Sequence, residues 1–293
     1  MTLTRARAIA SLASAAAVAA CGSGARTIRV GSKNFTESFV IAEIYAQALE
    51  RAGLHVERRF NLGSTQIAMA AMRRGDIELY PEYTGTALID VLHLPPIHDP
   101  KLIYATVARE FARRYGLIWL APSPMNDSQA IATTPQIAAR DGLQTLSQLA
   151  VAAPRLRLAT IQEFLSRPDG LPGLQKAYGG FRFAEVRTYD IALKYQALLT
   201  GRADVASAFS TDGAIATDRL ALLRDDKGFW PAYNVAPVVR QGTLAAFPSV
   251  RPALDAVSSK ITDGAARRMN AAVEDGHRDP ADVAAEFLGG TSH

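Results

Sequence analysis

Two segments of this chain repeat one pattern at a spacing of 126 residues (201 − 75). The first is Gly75-Asp76-Ile77-Glu78-Leu79-Tyr80-Pro81-Glu82-Tyr83-Thr84-Gly85. The second is Gly201-Arg202-Ala203-Asp204-Val205-Ala206-Ser207-Ala208-Phe209-Ser210, then Thr211-Asp212-Gly213. In each, an amphipathic helical stretch stops at a glycine and an acidic residue leads a short apolar strand. An aromatic stands eight positions past the glycine (83 − 75 and 209 − 201). Helix–glycine–strand is common in α/β proteins, so chance is the competing explanation; the matched aromatic, hydroxyl and glycine favour a true echo. The ends of strands are where an α/β sheet offers side chains to a ligand. Two such ends predict two lobes, each presenting an aromatic face to a shared cleft.

The remaining pattern fits that architecture. Ile28 to Val30 reads as a strand, and Gly31 to Glu37 turns into a helix carrying Ile41, Ile44, Tyr45, Ala48 and Leu49 on one face. Val56 to Phe60 is a second strand, and Ser64 opens a helix that Gly75 stops. Such alternation signals a mostly parallel sheet with helices on its faces. Pro122 to Asp127 is turn-rich and reads as the first crossing between lobes. Ser128 to Ala132 opens the second lobe, with strands near Arg157–Thr160 and Phe183–Arg187 and helices near Leu174–Tyr178 and Ile191–Thr200. Asp190 stands where its carboxylate would cap the last of these helices. The stretch from Tyr233 to Val239 reads as the return crossing, and Pro252 to Leu288 as helix packing back on the first lobe. The expected division is 27–122 plus 235–293 for the first lobe and 123–234 for the second, hinged at two crossings.

At 293 residues with 48% apolar content, the chain is long enough for two such cores. The formal charge of +4 comes from scattered basic residues, the densest being pairs such as Arg58-Arg59 and Arg113-Arg114, so no nucleic-acid footprint is present. Residues 1–21 read as an export signal: Arg5 and Arg7, then an alanine-rich apolar run, then Cys21. Val18-Ala19-Ala20-Cys21 resembles the lipobox of bacterial lipoproteins, in which the cysteine is acylated; a plain secretory signal is the alternative. Cys21 is the sole cysteine, so no intramolecular disulfide can form. The expected location is the periplasm or cell envelope, with a lipid anchor in the membrane.

Catalysis finds little support. The histidines (55, 93, 98, 277 and 293) lack metal-binding helical spacing, and there is no Gly-x-x-x-x-Gly-Lys-Ser/Thr loop or Gly-x-Ser-x-Gly elbow. No metal or cofactor is expected. Binding fares better: Tyr83 and Phe209 would face the cleft from opposite lobes, Thr86 would donate a hydrogen bond beside Tyr83, and Tyr233 would face the same space from the return crossing. Aromatic walls attract cations through the ring quadrupole, and a quaternary ammonium suits them because it has no N–H to satisfy. Each tyrosine taken singly is as readily explained by core packing.

Several segments resemble the glycine betaine/choline/carnitine-binding proteins of osmoprotectant ABC importers. They are Gly31-Ser32-Lys33-Asn34-Phe35-Thr36-Glu37, Tyr80-Pro81-Glu82-Tyr83-Thr84-Gly85-Thr86, Glu163-Phe164-Leu165-Ser166-Arg167-Pro168-Asp169-Gly170 and Leu171-Pro172-Gly173-Leu174. The match continues through Leu193-Lys194-Tyr195-Gln196-Ala197-Leu198, Ser210-Thr211-Asp212-Gly213 and Ala236-Pro237-Val238-Val239. The resemblance implies a two-lobed periplasmic-binding-protein fold (venus-flytrap, type II-like) with an aromatic cage in the cleft. It implies cage walls at Tyr83 and Tyr233, a polar contact at Thr86 and a ligand-carboxylate partner at Arg167. Lys33 is a second candidate for an anionic ligand group, or else a solvated lysine beside a turn. Where the family commonly has tyrosines, this chain has Gln129, Phe209 and Asn234. Phe209 keeps a π face; Gln129 removes a wall and adds a donor and an acceptor, which weakens the cage or reads a polar group on a different ligand.

The resemblance implies a non-enzymatic, monomeric binding protein that passes a quaternary-ammonium solute to a separate ABC permease and ATPase. The alternatives are the same fold binding an amino acid or imidazole betaine, and a periplasmic ligand sensor.

Overall fold

The computed structural model describes residues 27–191, 193–217 and 219–289; the export signal and Cys21 lie outside the described residues. The strands are β1 (Ile28–Gly31), β2 (Val56–Arg59), β3 (Leu79–Tyr83), β4 (Leu117–Trp119), β5 (Gln129–Thr133), β6 (Arg157–Thr160), β7 (Glu185–Thr188), β8 (Val205–Phe209), β9 (Ala221–Leu222) and β10 (Val235–Arg240). They form two five-stranded sheets, ordered β2-β1-β3-β10-β4 and β7-β6-β8-β5-β9. In each sheet the first three strands are parallel and the strand in fourth place, β10 or β5, runs against both neighbours.

The echo seen in the sequence is an echo in space. β3 and β8 hold the same third place in their sheets. The helices before them end at Gly75 and Gly201, whose φ values of 81° and 69° lie in the left-handed region that glycine adopts without a Cβ clash. The acidic residue three positions on then locks the neighbouring strand. Glu78 accepts from the backbone N (2.8 Å) and Nε (2.9 Å) of Arg29 at the start of β1. Asp204 accepts from the backbone N and Nε of Arg157 at the start of β6, both at 2.9 Å.

Helices cover both sheets. On one face of the first sheet Met72, Ile77, Tyr80, Phe111 and Trp119 form a compact core. Against the second sheet a small-residue core of Ala132, Ala159, Ala197, Ala206 and Ala208 brings helix Lys194–Leu199 close to the strands. That helix begins later than its sequence pattern predicts. Its first turn carries no side-chain cap, and Leu193, not Asp190, stands at its N-cap. The backbone N of Leu193 instead donates to the Asp190 carbonyl at 2.8 Å, so the chain turns before the helix starts.

The two crossings run side by side, joined by an antiparallel bridge between Asn126 and Asn234. Asn126 Oδ1 accepts from the backbone N of Tyr233 at 2.7 Å, and Asn234 Nδ2 donates to the carbonyls of Met125 (2.9 Å) and Ser123 (3.3 Å). The C-terminal helices pack on helix Thr36–Arg51 of the first lobe, as their pattern predicts. Helix Asp263–Glu274 also reaches the second lobe, because Asn270 Nδ2 donates both to Glu37 Oε2 (3.0 Å) and to the Thr211 carbonyl (2.9 Å). Among the described residues no helix is long and apolar enough to cross a membrane.

Candidate functional site

The strand ends of both lobes and the return crossing border one cavity of about 730 Å³, a size ordinary for small-molecule sites (roughly 300–1,000 Å³). Lys33, Tyr83, Thr86, Gln129, Arg167, Phe209 and Tyr233 all line it. Asn234 does not; its amide staples the crossings together.

Tyr83 is the last residue of β3, so its ring leaves the sheet at the cleft. Its hydroxyl donates to Glu37 Oε1 at 2.7 Å, and Phe35 lies beside it with ring centroids 6.1 Å apart. Directly after Tyr83 the chain makes a helical turn and then a wide π-type turn over Ala87–Val91. The helical turn brings Thr86 to the cavity, and the π-type turn, of a kind that recurs at functional sites, brings Asp90 there. Across the cleft Phe209 ends β8, and Gln129 is its direct partner in the β5–β8 ladder. Directly paired residues share a face of the sheet, so the carboxamide stands next to the ring.

Asp169 is the hub of the polar side. It accepts from Arg167 twice, Nε to Oδ1 at 2.8 Å and Nη2 to Oδ2 at 2.6 Å. Its Oδ2 also takes the Tyr233 hydroxyl at 2.5 Å and Gln129 Nε2 at 3.4 Å. Trp230 Nε1 donates to its carbonyl at 2.9 Å. Burial pushes the Asp169 carboxyl up, but the Arg167 guanidinium more than offsets this and holds it below its ordinary value. Burial likewise opposes the Arg167 charge, and Asp169 nonetheless raises its pKa. This planar fork-to-carboxylate pair fixes the guanidinium at the cavity edge, with its Nη2 3.5 Å from Thr86 Oγ1 and its Nη1 3.8 Å from Asp90.

Lys33 is only 5% exposed, so it is not a solvated lysine. Its Nζ bonds Glu82 at 2.8 Å and lies 4.7 Å from the Tyr83 ring centroid. The second lobe repeats the arrangement with Lys194, whose Nζ bonds Asp212 at 2.9 Å and lies 5.1 Å from the Phe209 ring centroid. Both rings thus already stand against a cation whose charge a carboxylate offsets, an arrangement favoured by the ring quadrupole.

Behind the rings, carboxyl groups gather where the lobes meet. Burial raises Glu37, against the hydrogen bonds it accepts. Burial, followed by the charges of Glu37 and Asp212, pushes Asp127 well above the carboxylate range. Glu274 is raised to about 7, mainly by burial and then by Asp212. Asp90, Glu163 and Asp190 line the cavity against two lining cations, both already paired, so its surface is biased toward positively charged guests.

Sequence patterns alone assign no role to Asp169, Phe35 or Lys194. Asp169 had one signal, its place two residues after Arg167, because a carboxylate near a buried guanidinium is its natural partner. Phe35 lies in a polar turn segment, and Lys194 opens a helix, where a charge reads as solvated.

Comparison with known proteins agrees with this construction. The family profile OpuAC, described as the substrate binding domain of an ABC-type glycine betaine transport system, matches residues 26–290. A glycine-betaine-binding protein of Pseudomonas aeruginosa is 34% identical over 287 residues, covering 94% of this chain and 92% of that protein. The ergothioneine transport permease/ergothioneine binding protein EgtU of Helicobacter pylori is 30% identical over 260 residues, covering 88% of this chain and 46% of that longer protein. The crystal structure of a glycine betaine/carnitine/choline ABC transporter superposes with a TM-score of 0.75 at 31% identity, covering 89% of this chain and 97% of that one. The chain belongs to the family of substrate-binding domains of ABC-type glycine betaine transport systems, a family of binding proteins and not of enzymes.

Proposed function

We propose that the chain is the extracytoplasmic solute-binding protein of an ABC importer and holds a small quaternary-ammonium solute of the glycine betaine, choline or carnitine type between its lobes. The observation that carries this reading is one cavity bordered by Tyr83, Phe209 and Tyr233, with the anchored Arg167 guanidinium at its edge. The rings take the methylated cation, and Arg167 with Thr86 takes an anionic end when the ligand has one. The seating of Lys33 and Lys194 against two of the rings supports this reading. Capture needs no covalent step; closure about the paired crossings supplies the retention. A separate permease and ATPase would receive the solute, and the protein would act as a monomer tethered through an acylated Cys21.

Calorimetry with glycine betaine, proline betaine, choline and carnitine tests the ligand class; a one-to-one complex with at least one is expected. Binding of none, with binding of an unrelated solute, overturns it. The anchor is tested by fractionation: Cys21→Ser should move the protein from the membrane to the soluble fraction. A second reading, an imidazole-bearing betaine, is favoured by Gln129, a hydrogen-bonding side chain among the rings.

A further inference from the structure

The carboxamide of Gln129 has a defined orientation, and that orientation has a consequence for the ligand. Its Nε2 faces Asp169 Oδ2 at 3.4 Å, an oxygen already receiving Arg167 Nη2 and the Tyr233 hydroxyl. Asp169 is thus an acceptor, and the flipped amide would set two acceptors against each other. Oε1 therefore points away from Asp169. Gln129 is 6% exposed and what it exposes borders the cavity; among the described residues no group donates to Oε1. The side chain also stands directly across the ladder from Phe209, so a cation resting on that ring lies beside an unused acceptor.

Resting on the ligand class proposed above, we propose that Gln129 makes this site select cations that carry a hydrogen-bond donor, an N–H on the nitrogen or a hydroxyl beside it, over otherwise matched cations that lack one. An aromatic wall in that position rewards methyl groups; an acceptor oxygen rewards a donor. A buried acceptor left without its partner also costs affinity, which penalises the ligand without a donor a second time.

Two matched pairs isolate the donor. N,N-Dimethylglycine, protonated at neutral pH, differs from glycine betaine by one N–H in place of a methyl. Carnitine differs from γ-butyrobetaine by one hydroxyl. Loss of a buried methyl alone would favour glycine betaine by roughly fourfold. A charge-assisted hydrogen bond to Oε1 reverses this, giving dimethylglycine an advantage of about threefold or more. Carnitine should exceed γ-butyrobetaine by about threefold if the donor is the hydroxyl. A preference in the first pair only assigns the donor to nitrogen; a preference in the second only assigns it to oxygen.

Titration of all four ligands into wild type, Gln129→Met and Gln129→Tyr completes the test, with thermal unfolding of each ligand-free variant as a folding check. Gln129→Met should abolish the preference, and Gln129→Tyr should shift it toward the member without the donor. The inference falls, and the ligand class stands, if the member without the donor wins in both pairs with wild type or if Gln129→Met leaves the ratios unchanged. If none of the four binds wild type, the ligand class falls and takes the inference with it. The wild-type ratios decide even where a variant does not fold.

Discussion

Replacing Asp169 by asparagine isolates the interaction that holds Arg167 at the cavity. The pair is largely withdrawn from water, with side-chain exposures of 14% for Arg167 and 1% for Asp169. Removing one partner of a buried ion pair costs about 3–5 kcal/mol, because the remaining charge stays desolvated. Two features place this case at the lower end: the asparagine carbonyl can still accept one bond, and Asp90 remains 3.8 Å from Arg167 Nη1. A loss of about 3 kcal/mol is expected. Urea unfolding of the ligand-free protein reads it as a lowered midpoint with an unchanged slope. The double variant Arg167→Met/Asp169→Asn should recover at least about 1 kcal/mol of that loss, since no unpaired guanidinium remains. Ligand binding should fall in both, because Tyr233 loses its 2.5 Å bond to Asp169 along with the clamp. A loss below about 1 kcal/mol in the single variant, or a further loss in the double, refutes the view that Asp169 neutralises and orients Arg167.

Further outcomes follow from the same geometry. Tyr83→Phe keeps the ring and removes only the bond to Glu37, so ligand affinity should fall less than in Tyr83→Ala, where losing one cation–π wall costs a few-fold to about thirtyfold by calorimetry. A Cβ on Gly85 would lie 2.5 Å from Tyr233 Cδ1 and 2.9 Å from the Ala232 carbonyl, so Gly85→Ala should displace the Tyr233 ring. It should cost about 1–3 kcal/mol of stability and weaken binding about tenfold or more. Glu274 has its pKa raised from 4.5 to about 7, so the folded state binds its proton more tightly than the unfolded chain does. Its stabilising contribution is full below about pH 4.5 and is lost as pH rises through about 7. Glu37 and Asp127, also raised, act in the same direction. Because Glu274 is only partly buried, Glu274→Gln should remove about 1–2 kcal/mol of the fall in stability between pH 5 and 8, read from unfolding midpoints across that range.

The sheets and the cleft residues were legible because they rest on local, periodic signals. Gly75 and Gly201 end helices, β3 and β8 are apolar runs, and Tyr83 and Phe209 follow at fixed spacing. The partners that hold those residues were not legible. Asp169 meets Tyr233 across 64 residues of chain and Gln129 across 40, and no period encodes such a meeting. The buried lysines escaped for a different reason. A lysine reads as solvated unless its carboxylate is known, and Glu82 and Asp212 come to Lys33 and Lys194 only through the tertiary fold. Asp190 shows the limit of a local signal. Its place before a helical stretch suggested a cap, but Asp190 accepts from the Leu193 N–H through its backbone carbonyl and the helix starts at Lys194.

A crystal structure of the complex with a quaternary-ammonium ligand tests the central claim most directly. The methylated nitrogen should lie within about 6 Å of the ring centroids of Tyr83, Phe209 and Tyr233, with any ligand carboxylate turned toward Arg167. A nitrogen found outside that cavity, or inside it but touching the rings of only one lobe, would contradict the account.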